Sequence, residues 1–310
     1  MPPAAKADPS HVGTVQRYYD AMSTFVRPER VDDSIFTVRR MNNWCKRVLI
    51  RRHGGSSLAR KNVLDLGCGR GGDLLKLNGC ASYAGIDISG KSVDEAMVRA
   101  RTMEMRNASF HVADIFDEWS DKVEPESVDL VVCNLVLQNA SGVAMLDRFT
   151  AQVSTVCKRQ AAVAIITLPD YQTLSRLKAR ATSTTSAAVS SVETGGCVSL
   201  GFDVTTGEDA RHLSSFERYA FKMSDAVAHD QEFAVPKDVI VDVFARNGWV
   251  LDRAGAFTEF VHGYFSSGSR DAATMADGPD RTACDDIAEL YSYLVFKRAV
   301  LQVSSATIRP

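Results

Sequence analysis

One run of residues constrains this chain more than any other: Val63-Leu64-Asp65-Leu66-Gly67-Cys68-Gly69-Arg70-Gly71-Gly72-Asp73, after which Leu74-Leu75-Lys76-Leu77 resumes an apolar pattern. Gly67, Gly69 and Gly72 satisfy G-x-G-x-x-G, a weak signal alone but an informative one between a strand and a helix. There the glycines let a ligand approach the backbone at the first turn of an α/β sheet. Around this turn, predicted strands over Asn62–Leu66, Tyr83–Asp87, Ser109–Val112, Val128–Cys133 and Ala161–Thr167 alternate with predicted helices over Leu74–Leu77, Ser92–Arg106 and Met145–Cys157. Strands spaced by crossover helices imply an α/β fold with a mostly parallel, doubly wound, Rossmann-like sheet and helices on both faces.

Composition agrees. The 310 residues are 45% apolar and 24% charged, which supports a large core and excludes collagen-like, disordered and disulfide-scaffold chains. No apolar run reaches membrane-spanning length, and Met1 to Ser10 lacks the apolar stretch of a signal peptide, so no membrane partner and no secretion are expected. The seven cysteines form no C-x-x-C pair and the six histidines show no ligand spacing, so reduced thiols and no metal are expected. Net charge is −2, yet residues 1–61 carry twelve Lys and Arg against five Asp and Glu. That excess reads either as a surface that meets phosphate or as a solvated helix face.

One domain over 31–298 is expected, between a polar segment 1–30 and a tail 299–310. Within it an amphipathic basic helix covers 31–53, with Val38, Met41, Trp44, Cys45, Val48 and Leu49 at helical spacing. The sheet core follows over 60–170. Residues 179–196 (ARATSTTSAAVSSVETGG) are small, polar and aperiodic, and read as a mobile surface insertion. A C-terminal part over 200–298 includes a strand near Phe216–Met223, a helix from Lys237 stopped by Gly248, and a final strand Tyr291–Arg298.

Three acids mark the strand ends on the edge where α/β proteins bind ligands. Asp65 ends the first strand, Asp87 the second in Gly85-Ile86-Asp87-Ile88-Ser89, and Asp114 follows the third in Val112-Ala113-Asp114. Asp87 is placed to accept from ribose hydroxyls, and Asp114 to meet an adenine amino group. A dinucleotide pyrophosphate would be repelled by Asp65 and Asp73 beside the glycines. S-adenosylmethionine carries ammonium and sulfonium charges and no phosphate, so nearby carboxylates suit it.

With these residues the chain resembles the class I S-adenosylmethionine-dependent methyltransferases. The string D-L-G-C-G-R-G-G-D-L-L-K narrows the resemblance to eukaryotic-type mRNA cap guanine-N7 methyltransferases. Arg39-Arg40-Met41-Asn42-Asn43-Trp44-Cys45-Lys46 is similar to the family's R-x-x-N-N-x-x-K helix, Val98-Arg99-Ala100-Arg101 to the helix after the ribose acid, and Thr167-Leu168-Pro169 to its T-x-P. The resemblance implies that Asn43, Lys46, Asp65, Gly67, Gly69, Asp87, Asp114 and Asn134 hold S-adenosylmethionine and its product S-adenosylhomocysteine. It further implies that Arg70, Asp73, Arg99, Pro169, Glu232 and Tyr291 meet the cap. Glu232 would read the guanine edge, Tyr291 would be the C-terminal aromatic, and Arg70 and Arg99 would face the triphosphate, although Arg99 could instead pair with Glu95 at i,i+4. No catalytic dyad is expected, because guanine N7 has a free lone pair and loses no proton. The implied partners are GpppN-capped RNA, with basic residues of the first helix tracking the strand, and the triphosphatase and guanylyltransferase that precede methylation in capping. A nuclear location is expected from the substrate, with the cytoplasm otherwise. A methyltransferase acting on small molecules or proteins, and a non-catalytic RNA-binding subunit, are the alternatives.

One stretch departs from the family. Where the family has Q-F-x-x-H-Y, this chain has Asn134-Leu135-Val136-Leu137-Gln138-Asn139. Less aromatic stacking on the base is expected, and restoring it through Leu135→Phe, Gln138→His and Asn139→Tyr is expected to keep or improve cap affinity.

Overall fold

Apolar residues at Met41, Cys45 and Leu49 repeat every four positions, and all three are fully buried on one face of α1 (Asp33–His53). After α1 the chain enters the alternation read from the sequence: β1 (Asn62–Leu66), α2 (Leu74–Leu77), β2 (Ser82–Asp87), α3 (Gly90–Thr102), β3 (Ala108–Val112), β4 (Leu130–Asn134), α4 (Val143–Val156) and β5 (Val163–Pro169). The computed structural model describes residues 33–299 apart from 56, 185–188, 195–197, 204–211, 224–226 and 267–278, together with Gly13, Gln16, Arg17 and Asp20. The expected segment 1–30 and tail 299–310 thus lie almost wholly outside the described residues.

Beyond β5 come α5 (Tyr171–Thr184), β6 (Val189–Thr194), β7 (Val198–Asp203), β8 (Arg218–Met223), β9 (Val227–Phe233), α6 (Lys237–Arg246), β10 (Trp249–Ala256), α7 (Thr258–Phe265), α8 (Pro279–Leu290) and β11 (Tyr291–Arg298). The main sheet has the order β10-β11-β5-β4-β1-β2-β3. β1 to β5 run parallel, β11 returns antiparallel on β5, and β10 pairs antiparallel with β11. Strand order reverses at β1, which lies between β2 and β4. A crevice therefore opens at the carboxyl ends of β1 and β4, where open α/β sheets bind ligands.

Helices cover both faces. α1, α5, α7 and α8 pack on one with Tyr83, Val132, Ile165 and Val295. α4 and α6 pack on the other with Leu64, Val131, Ile166 and Phe296. β5 is apolar apart from the buried Thr167, because both of its faces are covered.

The segment 179–196 corrects the sequence reading. Ala179–Thr184 completes α5, and Val189–Thr194 is β6, the edge of a second, antiparallel sheet β6-β7-β8-β9. Small polar residues hid both elements. α5 is fixed by Leu174, Leu177 and Ala181 on its buried face, and by the buried Lys178 ammonium donating to Glu217 and to the His212 carbonyl. β6 is held by β7, whose alternating Val198, Leu200 and Phe202 are buried.

The α6 face supplies a test of packing. The Phe244 ring stacks on Phe296 with centroids 4.0 Å apart and meets the Trp249 edge at 5.9 Å. Phe244→Ala is expected to cost about 3–5 kcal/mol in denaturant unfolding, and a loss under about 1 kcal/mol would contradict this packing.

Candidate functional site

The glycine loop leaves β1 and folds back over the end of β2. Gly67 and Cys68 N–H both donate to the Ile86 carbonyl, at 2.8 and 3.1 Å. Gly67 has φ 74°, and a Cβ there would lie 2.2 Å from Val136 Cγ2, so no side chain fits. Gly69 has φ 50° and its missing Cβ would meet nothing within 4 Å, which leaves open space over the loop. α3 braces the loop from outside. Arg70 Nε lies 3.5 Å from Glu95 Oε2, and Arg99 Nη1 donates to the Gly71 carbonyl at 3.2 Å. Glu95 therefore pairs with Arg70, and not with Arg99 as the i,i+4 spacing allowed.

Beside the loop lies a cleft of ≈ 140 Å³. Five of the sequence-predicted residues line it: Gly67, Gly69, Asp87, Asp114 and Asn134, with Ile88, Ile115, Phe116, Val136 and Met145 as apolar walls. Asp87 is set by backbone donors, Ser89 N–H on Oδ1 at 2.9 Å and Gly69 N–H on Oδ2 at 2.8 Å. Burial pushes its carboxyl upward, and these N–H groups oppose that shift. Asp114 Oδ1 accepts from Phe116 N–H at 2.9 Å. These N–H groups hold both carboxylates in a fixed orientation at the cleft. No lysine or arginine lines this cleft among the described residues.

Under the loop stands a buried charge cluster. Asp73 Oδ1 accepts from Lys76 Nζ at 2.6 Å, and Oδ2 accepts from Asn134 Nδ2 at 2.8 Å and from Lys46 Nζ at 3.4 Å. Burial alone would raise Asp73, but the two ammonium groups outweigh it and hold the carboxyl at about 2. Lys76 also donates to Asn43 Oδ1 at 2.7 Å and to the Gly72 carbonyl at 3.0 Å. Asn134 is fixed at its other end by Thr167 Oγ1, 3.1 Å from Oδ1. The Asp73 carboxylate, expected to meet the cap, is engaged by Lys46, Lys76 and Asn134. Lys76 itself was overlooked, although its place three residues after Asp73 on one helix face was a signal. Asp65 lies deeper still, accepts from Tyr83 Oη at 2.9 Å, and is pushed up to about 7 by burial and by the Asp73 charge.

The expected cap residues sit on other elements, outside the lining of this cleft. Tyr291 opens β11 and pairs in register with Pro169, the last residue of β5; it is buried, with its ring centroid 5.8 Å from that of Phe257. Glu232, on β9, is buried and accepts from Tyr219 Oη at 2.6 Å. The Gln138 carboxamide also hydrogen-bonds it, and burial pushes the carboxyl up to about 7. The antiparallel sheet thus carries Glu232 onto the turn Leu137–Asn139 after β4. Nothing in the sequence pointed to Tyr219, since its role depends on the β8–β9 register, which pairs it with Glu232.

Residues 4–282 match the family model described as the mRNA (guanine-N(7))-methyltransferase domain. The chain is 28% identical over 276 residues to an mRNA cap guanine-N(7) methyltransferase of Cryptococcus neoformans, covering 84% of this chain and 37% of the relative. It is 36% identical over 115 residues to one from Schizosaccharomyces pombe, covering 36% of this chain and 32% of the relative. It is 29% identical over 309 residues to mRNA cap guanine-N(7) methyltransferase 1 of Oryza sativa, covering 91% of this chain and 79% of the relative. The chain therefore spans about a third of the fungal relatives' length and most of the rice one's. Among solved structures, geranyl diphosphate C-methyltransferase from Streptomyces coelicolor with bound S-adenosyl-L-homocysteine aligns with TM-score 0.57 at 14% identity, covering 95% of this chain and 100% of that one. Magnesium protoporphyrin IX methyltransferase from Synechocystis aligns at 0.55 and 15% identity, covering 93% and 100%. At such identity these two show a shared fold.

The buried acid gives a prediction. The ordinary value for Asp65 is 3.8, and the folded chain holds its proton up to about 7. Stability that is intact below the unfolded value is therefore lost as pH rises through the folded one. Asp65→Asn removes the ionisation, so its gain in melting temperature over the parent is expected to be larger near pH 8 than near pH 5. A gain independent of pH would contradict this environment.

Proposed function

The chain belongs to the mRNA (guanine-N(7))-methyltransferase domain family, and on that premise we propose that it transfers a methyl group from S-adenosylmethionine to N7 of the terminal guanosine of 5′-capped RNA. One observation carries the reading: among the described residues, the cleft at the sheet's switch point is lined by carboxylates and apolar walls without a basic residue. Such a lining suits a cofactor with positive charges and no phosphate, and would repel a pyrophosphate. When bound, the cofactor supplies an electrophilic methyl on a cationic sulfur.

The chain's own residues do the rest. Asp87 would accept from the ribose hydroxyls and Asp114 would face the adenine end. Gly69 leaves its backbone open to the ligand, while Gly67 lets Val136 pack close against the loop. Asn43 presents its amide N–H groups outward, because Lys76 holds its carbonyl. With Lys46 it would meet the carboxylate at the amino-acid end. Guanine N7 needs no base to take a proton, so the remaining task is to align the acceptor and exclude water. Glu232 has no cationic partner among the described residues. Beside the base it would stabilise the positive charge that develops as the methyl arrives. Tyr291 and Pro169 would wall the base. Arg70, with about a third of its side chain exposed beside Glu95, and Arg99 would reach the triphosphate.

Capped RNA, contact with the preceding triphosphatase and guanylyltransferase, and a nuclear site of action follow from this reading. The loss of aromatics at Leu135, Gln138 and Asn139 favours a second one, a small-molecule or protein acceptor on the same fold. Labelled methyl transfer separates them. Label is expected on GpppN-capped RNA and not on triphosphate-ended or uncapped RNA. Glu232→Gln is expected to lower that rate by about 100-fold while S-adenosylhomocysteine still binds. Absence of transfer to any cap, with S-adenosylhomocysteine bound normally, would shift the acceptor to the second class.

A further inference from the structure

Gln138 stands where the resembled family has a histidine, and it is not a passive replacement. It is 6% exposed, as is Glu232. Its Nε2 donates to the Leu135 carbonyl at 2.8 Å, in a turn where Leu135 itself holds a strained φ of 59°. Its carboxamide also bonds the Glu232 carboxyl, which Tyr219 fixes from the other side. These bonds leave one group over: Gln138 Oε1 is buried and has no hydrogen-bond partner among the described residues. A buried carbonyl without a donor is costly, and beside it lies a carboxyl without a cation. Two acceptors sit together, the carboxamide oxygen without a donor and the carboxyl hydrogen-bonded but without a cation.

We propose that Gln138 is a specificity-determining residue of the base site, its Oε1 and the Glu232 carboxyl forming one acceptor pair for the adjacent N1–H and N2–H₂ donors of guanine. This rests on the cap methyltransferase reading above and adds a residue to it. At the corresponding positions adenine presents a lone pair at N1 and only a C–H at C2, so one protein acceptor would face a lone pair and the other would gain no donor. Hypoxanthine keeps N1–H and lacks the amino group, so one acceptor would stay buried and unpaired. Tyr219 is a positioning residue: it touches no base and fixes the carboxyl that does. The expectation that Gln138→His with its aromatic neighbours improves cap affinity is reversed. An imidazole in place of the carboxamide cannot bond the Leu135 carbonyl and Glu232 and still offer an acceptor.

The test compares kcat/KM on GpppG and on IpppG, whose terminal inosine lacks the amino group, in the parent and in Gln138→Met. The parent is expected to prefer GpppG by about tenfold or more, because the inosine cap leaves a buried acceptor unpaired. In Gln138→Met that preference is expected to fall by about tenfold, mainly through KM for GpppG, with S-adenosylhomocysteine affinity unchanged as proof of folding. An unchanged preference in Gln138→Met would overturn the proposal, since a merely structural glutamine would slow both caps alike. Equal efficiency of the parent on both caps would overturn it without recourse to any variant. A parent that methylates neither cap would overturn the cap methyltransferase reading itself, which is a separate result.

Discussion

The Asp73 carboxylate is the contact on which the rest of the site depends. Its two oxygens bind Lys76, Lys46 and Asn134, and so tie the short helix after the glycine loop to α1 and to the end of β4. The Lys76 side chain is 3% exposed and the Asp73 side chain 9%, so the pair is shielded from salt and water. Removing one partner from such a cluster strands a buried charge and typically costs about 3–5 kcal/mol, whereas an exposed pair such as Arg159–Glu126 contributes about 0–1 kcal/mol. The backbone amides of the loop can face a ligand because the ions beneath it keep the loop, α1 and β4 in one arrangement.

From that anchor the chemistry divides into two halves with opposite electrostatic demands. The cleft beside the loop offers Asp87 and Asp114, each oriented by backbone N–H groups. The proposed base side has Glu232 and Gln138, oriented by Tyr219 and by the turn after β4. Asn134 and Leu135 stand between the halves, at the end of β4, the neighbour of the strand β1 at which the sheet order reverses. In the proposed reaction, methyl transfer from a cationic donor to a base that becomes cationic would move positive charge across this boundary. Carboxyl groups on both sides suit that movement, and no proton need be taken up or released.

Much of this was legible in the sequence because it was local. The strand–glycine–helix signal, the acids at successive strand ends and the 3.6-residue period of α1 each lie within a few residues, where pattern and geometry coincide. What escaped the reading depended on pairing between distant segments. Ala179–Gly196 has the composition of a loop, and only β7, with buried Val198, Leu200 and Phe202, makes a strand of Val189–Thr194. β10 was missed because it is an edge strand, exposed over most of its length. Tyr219 could not be found without the β8–β9 register, and the ion cluster at Asp73 depends on the approach of Lys46 from α1, which is a tertiary fact. Gln138 read as a loss against the family pattern until its contact with Glu232 could be seen.

The most direct measurement is calorimetric titration of S-adenosylhomocysteine into the parent chain and into Asp73→Asn, with the fold of each checked by circular dichroism. Asparagine keeps the shape and removes the charge that gathers Lys46, Lys76 and Asn134. The account predicts that affinity falls by at least about tenfold in a folded variant, as expected when a charged hydrogen-bond cluster that positions a ligand is neutralised. Unchanged affinity in a folded Asp73→Asn would contradict it, and would mean that the glycine loop holds its shape without the ions beneath it.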